Sequence, residues 1–260
     1  TRPDWRVVEA FGPNALVTTT KIEAMNADRQ PADQRSIADS LAPFDVDACG
    51  TVIGDGGSGI VVTTLDFALR NFLDITSIIV GWGQSGETGG KAHFAGVGFG
   101  GENAIIQSYA MASAGHGYGV GHFGYLVAHA TGTRTNSRTD LAAAASARTV
   151  ATAQAGGSGR PAAMHVGAPK ALGDGHTMGE TGLKAVGHAL RYLLGKEAVG
   201  IPTLRRLDPD LESVAEQFVL DPSSVAGDAD GGAVCATQGF GGYNGAVALR
   251  LVDDGSLSLD

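Results

Sequence analysis

The chain has 260 residues, 43% of them hydrophobic but only 6% aromatic, and carries a formal net charge of −9. That length buries a sizeable core as one large domain or two small ones, and the acidic balance argues against a nucleic-acid binder, whose phosphate partners call for basic surface. Two cysteines, Cys49 and Cys235, are too few for a disulfide framework, and no apolar run approaches the roughly 20 residues of a membrane span. No signal peptide opens the chain, so a cytoplasmic protein is expected. The first residues are Thr1-Arg2-Pro3 rather than Met, as after Met removal or a cut in a longer polypeptide. The 40 glycines are about twice ordinary usage, so many backbone positions need tight turns or close approach.

In chain order, residues 5–20 read as an extended apolar piece. Residues 21–48, polar and charged with Pro31 and Pro43, read as a surface excursion with some helix. The β-branched run Ile60-Val61-Val62-Thr63-Thr64, entered from glycines, predicts a strand. Residues 65–73 have helical spacing, residues 76–81 predict another strand, and a glycine-rich loop spans residues 83–101. A helix is expected over residues 102–114, a loop over 116–122, a strand over 123–128 and an alanine-rich helix over 138–153. Residues 164–167 read as a short strand. Residues 180–194 form the clearest amphipathic helix, with Leu183, Val186, Leu190, Leu193 and Leu194 on one stripe. Strands over residues 214–220, 233–238 and 245–251 close the chain. Alternating strands and helices followed by a run of strands predict a layered α/β fold with a mixed sheet.

Two strings match G-x-G-x-x-G, at residues 54–59 and 96–101, but neither leaves a strand to open a helix, so both read as turn glycines. His116, His122 and His129 lack metal-ligand spacing, and no metal is expected. There is no G-x-S-x-G nucleophile elbow. His129 and His176 stand apart from the other histidines. Each lies in a Gly/Thr-containing loop between regular elements, where side chains meet the functional face of an α/β layer.

Four stretches carry a resemblance. Pro43-Phe44-Asp45, Gly50 and Gly54-Asp55-Gly56-Gly57 come first. His129-Ala130-Thr131-Gly132-Thr133 follows, with Asn136 and Asp140 after it. Then come Lys170 to His176 with Gly182, and finally Gly239-Phe240-Gly241-Gly242-Tyr243-Asn244. In this order they resemble the β-ketoacyl synthases, the condensing enzymes of fatty-acid and polyketide synthesis in the thiolase superfamily. The resemblance implies a thiolase-like layered α-β-α-β-α fold. Residues 1–50 would be the end of its first half with a connecting excursion, and residues 51–260 the whole second half. The family's nucleophilic cysteine belongs to the first half, in a turn that nothing here matches. Cys49 and Cys235 read as small buried or half-buried residues. Ala130 replaces a glycine of the family pattern, and Ser137 an aspartate. Lys170 and His176 are one residue farther apart than usual, and Glu180 and Thr181 replace small residues.

The implied reaction is decarboxylative Claisen condensation of a malonyl thioester with an acyl thioester held on a cysteine from outside this chain. By resemblance, His129 and His176 donate to the enolate oxygen, and Lys170 holds the network around His176. Phe240 supplies an oxyanion-hole N–H and gates the acyl pocket. Thr131 and Thr133 bind the pantetheine amides, and Gly241 and Gly242 free the loop that meets substrate. No cofactor is implied, because phosphopantetheine arrives on the substrate carrier protein. The implied partners are an acyl carrier protein or carrier domain, a first ketosynthase half or subunit bearing the cysteine, and a dimer mate. Arg134, Arg138 and Arg148 are candidates for a basic docking patch. The alternative is a non-catalytic subunit of the chain-length-factor kind, and a weaker one is a malonyl-thioester decarboxylase.

Overall fold

The computed structural model describes residues 15–87, 99–228, 230–239 and 241–252. One mixed sheet organises the chain. Its strands are β1 (Ser77–Gly86), β2 (Phe123–Val127), β3 (Met164–Gly167), β4 (Phe218–Val219), β5 (Gly232–Gly239) and β6 (Tyr243–Leu251), ordered β1-β6-β5-β2-β3-β4. β5 and β6 form an antiparallel hairpin, and β1 adds antiparallel to β6. β2 lies parallel to β5 and β3, and β3 parallel to β4. The helices are α1 (Thr19–Asn26), α2 (Leu65–Arg70), α3 (Phe99–His116), α4 (Arg134–Gln154), α5 (Thr181–Leu193) and α6 (Glu212–Ala215).

Both faces of the parallel part are covered, which is why β2 carries apolar side chains on both sides. Leu126 joins Leu141, Ala144, Val166 and Val234 beneath α3 and α4. Tyr125 and Val127 join Ala185, Ala189, Leu193 and Cys235 beneath α5. Alanines over the buried face of α4 keep that helix close to its neighbours. β1 meets α3 through glycines, since a Cβ on Gly81 would lie 2.0 Å from the Ser108 carbonyl oxygen and one on Gly83 2.1 Å from that of Ala104. Among the described residues no helix is long and apolar enough to cross a membrane.

Five expectations are corrected. Residues 60–64 form no strand. They are exposed, with Val61 94% accessible, because the described chain offers no neighbouring strand to complete their hydrogen bonds. Residues 21–48 are no mere surface excursion, since Arg35, Ser40, Leu41, Phe44 and Asp45 are buried, with Leu41 against Gly132 and the Phe44 N–H on Ser137 Oγ. The stretch 214–220 divides into the end of α6 and the two-residue β4. Within residues 5–20, Leu16 bridges to Thr51 and helix α1 begins at Thr19; residues 1–14 lie outside the described part. Of the expected 83–101 loop, Gly83 and Gly86 belong to β1 and residues 99–101 to α3, while 88–98 lie outside the described residues.

Candidate active site

His129 leaves the C-terminal end of β2, just past Ala128, whose N–H still donates to the Gly167 carbonyl at 3.0 Å. The next residue, Ala130, takes φ 47°, a left-handed conformation that a Cβ disfavours. Asp140 on α4 holds it there, its Oδ2 accepting the Ala130 N–H at 2.6 Å. Thr133 caps α4 by accepting the Asn136 N–H at 3.3 Å, and Asn136 Oδ1 accepts from both the N–H and the hydroxyl of Thr131, at 2.9 and 3.0 Å. The two threonine hydroxyls therefore have local duties, with Thr131 and Thr133 half-buried at the rim.

Lys170 and His176 come from the segment after β3. A 3-10 turn, Pro169–Leu172, buries Lys170, whose Nζ donates to the His129 carbonyl and lies 3.5 Å from His129 Nδ1. Lys170 thus reaches the pair through its His129 end, and its charge also acts on His176. The backbone of His176 is clasped by the segment after Thr51. Its N–H donates to the Val52 carbonyl at 2.7 Å, and its carbonyl accepts the Gly54 N–H at 3.1 Å. Gly54 is obligatory there, because a Cβ would lie 1.6 Å from the Asp174 carbonyl oxygen. The two imidazoles then meet edge to face, with ring centroids 5.4 Å apart and planes at 87°.

The ring of His176 has a defined proton. Nδ1 accepts the Met178 N–H at 3.1 Å and faces the Thr181 hydroxyl at 3.2 Å. The ring proton therefore sits on Nε2, which leaves one neutral donor. Burial, with the Lys170 charge behind it, lowers the His176 pKa to about 4. Burial holds His129 well below the usual histidine range, reinforced by Lys170 and His176. Burial likewise lowers Lys170, while Asp140 opposes it. Asp140 is raised by burial and pulled back by the Ala130 N–H and Lys170.

This has a consequence for stability. Below pH 6.5 the unfolded chain protonates His176 before the folded one does, so its contribution is complete above that pH and is lost as pH falls toward 4. Subtracting the pH dependence of His176→Gln from that of the parent, by urea unfolding, should leave a fall of about 3 kcal/mol between pH 7 and pH 4. A flat difference would refute a neutral buried ring.

Phe240 lies outside the described residues. Gly241 and Gly242, at φ 97° and 81°, form the turn from β5 to β6 beside the end of β1, where the Gly242 carbonyl accepts the Glu87 N–H at 2.7 Å. The expected basic patch is reduced. Arg134 is exposed and donates to the Val46 carbonyl, and Arg138 pairs with Asp208 and Asp210. Arg148 is buried, donating to the Gln217 and Ala162 carbonyls, and belongs to the core. Two contacts were invisible in the sequence. Ser58 and Thr177 both donate to Glu180 beside His176, and Gln238 joins Asn136 to Asp140. Ser58 to Glu180 and Gln238 to Asn136 and Asp140 do not follow from local spacing, since those partners lie about a hundred residues apart; Thr177 and Glu180 are only three apart.

Neither cysteine is prepared for nucleophilic attack. Burial raises the Cys49 thiol pKa and pushes that of Cys235, inside β5, up to about 12.

The sheet and its helices have the thiolase-like fold of the ketosynthases, and the chain is similar to a C-terminal ketosynthase portion. It is 32% identical over 219 residues to the 3-oxoacyl-[acyl-carrier-protein] synthase 2 of Mycobacterium tuberculosis (strain H37Rv), matching 82% of this chain and 46% of that protein. The chain thus spans about half the length of the curated relatives it matches. An oxazolomycin ketosynthase domain of Streptomyces albus JA3453 superposes with a TM-score of 0.72 at 20% identity, over 84% of this chain and 37% of that one. The ishigamide ketosynthase/chain length factor superposes at 0.64 with 22% identity, over 82% and 47%. No family model matches the chain.

Proposed function

We propose that this chain is the histidine-bearing portion of a β-ketoacyl synthase whose nucleophilic cysteine lies outside it, in the half that its relatives have and this sequence lacks. The observation that carries the reading is the pair of buried neutral imidazoles, one with its Nδ1 already satisfied and its Nε2–H free to donate. In the reaction, the outside cysteine thiolate takes the acyl group from its carrier thioester and releases the carrier thiol. The malonyl thioester then loses carbon dioxide, leaving an enolate whose oxygen carries the new charge. His129 and His176 donate to that oxygen, where preorganised donors in a dry site act most strongly. The enolate carbon attacks the acyl carbonyl, the cysteine leaves as thiolate and takes up a proton, and a β-ketoacyl thioester remains.

Lys170 holds His129 in place through its carbonyl and ring. Thr131 and Thr133 stand at the rim for the pantetheine amides. Phe240 completes the acyl oxyanion hole, and Gly241 and Gly242 let that turn approach substrate. An acyl carrier protein delivers both thioesters, and the assembled enzyme is a dimer. The domain division at residue 50 follows from the same reading. The exposed run 60–64 supports this reading, since a β-branched segment that finds no partner strand among the described residues is what the removal of a neighbouring half would leave. A purely structural subunit of the chain-length-factor kind has no use for a buried lysine against two buried imidazoles, whose desolvation is costly.

The test is intact-mass spectrometry of the natively isolated protein after incubation with an acyl thioester. The expected result is an acyl adduct on a cysteine outside residues 1–260, in a longer form of this chain or a co-purifying polypeptide. An adduct on Cys49 or Cys235, or none anywhere, sinks the proposal.

A further inference from the structure

We infer that Gln238 is a positioning residue for the His129 loop, a single amide that locks the two side chains holding that loop to the end of β5. The polarity of the contacts fixes its role. Asn136 Oδ1 is committed as an acceptor to the N–H and hydroxyl of Thr131. Its Nδ2 must therefore face an acceptor, and it donates to Gln238 Oε1 at 2.8 Å. That turns Gln238 Nε2 toward Asp140, where it donates to Oδ1 at 3.3 Å, while Oδ2 takes the Ala130 N–H at 2.6 Å. Asn136 and Asp140 are one helical turn apart on α4, so one amide spans both. Each group in the circuit has the donor or acceptor its neighbour requires, and turning either amide over breaks at least two bonds.

The loop needs such a brace. Ala130 is held in the left-handed region despite its Cβ, and His129 precedes it directly. Gln238 is also the residue before Gly239 and the 239–242 turn, so the circuit couples that turn to the His129 loop. Asp140 further faces Lys170, which is surrounded by His129, His176, Glu180 and Lys184.

The role assigned to the loop rests on the condensing reading, but the test does not need activity. Amide hydrogen exchange, resolved by residue, is measured on the parent chain and on two variants. Gln238→Met has similar length and loses both bonds. Exchange at both Ala130 and Thr131 should rise about tenfold, as expected for losing one buried hydrogen bond with its partner left unsatisfied. Gln238→Glu keeps the acceptor for Asn136 but sets a like charge against Asp140. It should leave Thr131 within about twofold of the parent while Ala130 rises about tenfold. This split is the signature of positioning, because general loosening would raise both amides in both variants, together with those of β5 and β6. Unchanged exchange in Gln238→Met, or equal responses in Gln238→Glu, overturns the inference. The split without any condensing activity in the natively isolated protein would sink the proposed function and leave the brace standing.

Discussion

His176→Ala is expected to lower release of carbon dioxide from a malonyl thioester by the assembled enzyme roughly 10²–10³-fold in kcat, with little change in KM. The site has spent its binding geometry on a donor rather than on a charge. With Nδ1 accepting the Met178 N–H at 3.1 Å, the imidazole cannot turn over without losing that bond, so its Nε2–H points one way before substrate arrives. A pKa lowered to about 4 keeps the ring neutral through the physiological range. Under the proposed function it gives the enolate oxygen a hydrogen bond and does not trap the malonyl carboxylate as an ion pair. Such a donor matters most when charge appears on the oxygen, which places the loss in kcat. His176→Asn, whose amide can still donate, should recover part of the loss, and His129→Ala should match His176→Ala within about tenfold. A rise in KM with kcat preserved would make the imidazoles ground-state binders. No change in either variant would favour a subunit that only shapes its partner.

How much of this was legible in the sequence depended on whether a signal was local. The strand Met164–Gly167 was legible in place, and the helix Thr181–Leu193 was legible from its 3.6-residue pattern. The face that helix buries is nonetheless Ala185, Ala189, Tyr192 and Leu193, while Leu183, Val186 and Leu190 of the expected stripe are half-buried and Leu194 is exposed. The pairing of His129 with His176 came only through resemblance to a known family, since spacing alone cannot bring residues on separate loops together. Residues 60–64 show the opposite failure. Their composition specifies a strand, but a strand is completed by its neighbour, and the described chain has none to offer. The excursion at 21–48 misled for an electrostatic reason. Charged residues usually mark surface, yet Arg35 and Asp45 neutralise each other and go inside.

That buried pair sets the largest stability effect expected in the molecule. Asp45→Ala should cost about 3–5 kcal/mol in urea unfolding near pH 7, as when one partner of an enclosed ion pair is removed. Asp45 Oδ2 lies 2.7 Å from Arg35 Nη2 and also accepts the N–H groups of Arg205 and Arg206 at 2.7 and 2.9 Å. Oδ1 accepts the Asp47 N–H at 2.8 Å. Truncation leaves all three N–H groups without this acceptor, and a guanidinium in the interior with only Asp47 and two carbonyls to hold it. Asp45→Asn, which can still accept, should cost clearly less. The double change Arg35→Met/Asp45→Leu should recover a large share of the loss, because it removes the stranded charge together with its partner. The effect should reach the site as well. Leu41 packs where Gly132 has no Cβ, and the Phe44 N–H donates to Ser137 Oγ on α4 at 3.0 Å. Amide exchange through residues 130–133 should therefore rise in Asp45→Ala before the sheet itself opens. If Asp45→Ala unfolds like the parent, the ion pair is incidental and the His129 loop rests on the sheet and α4 alone.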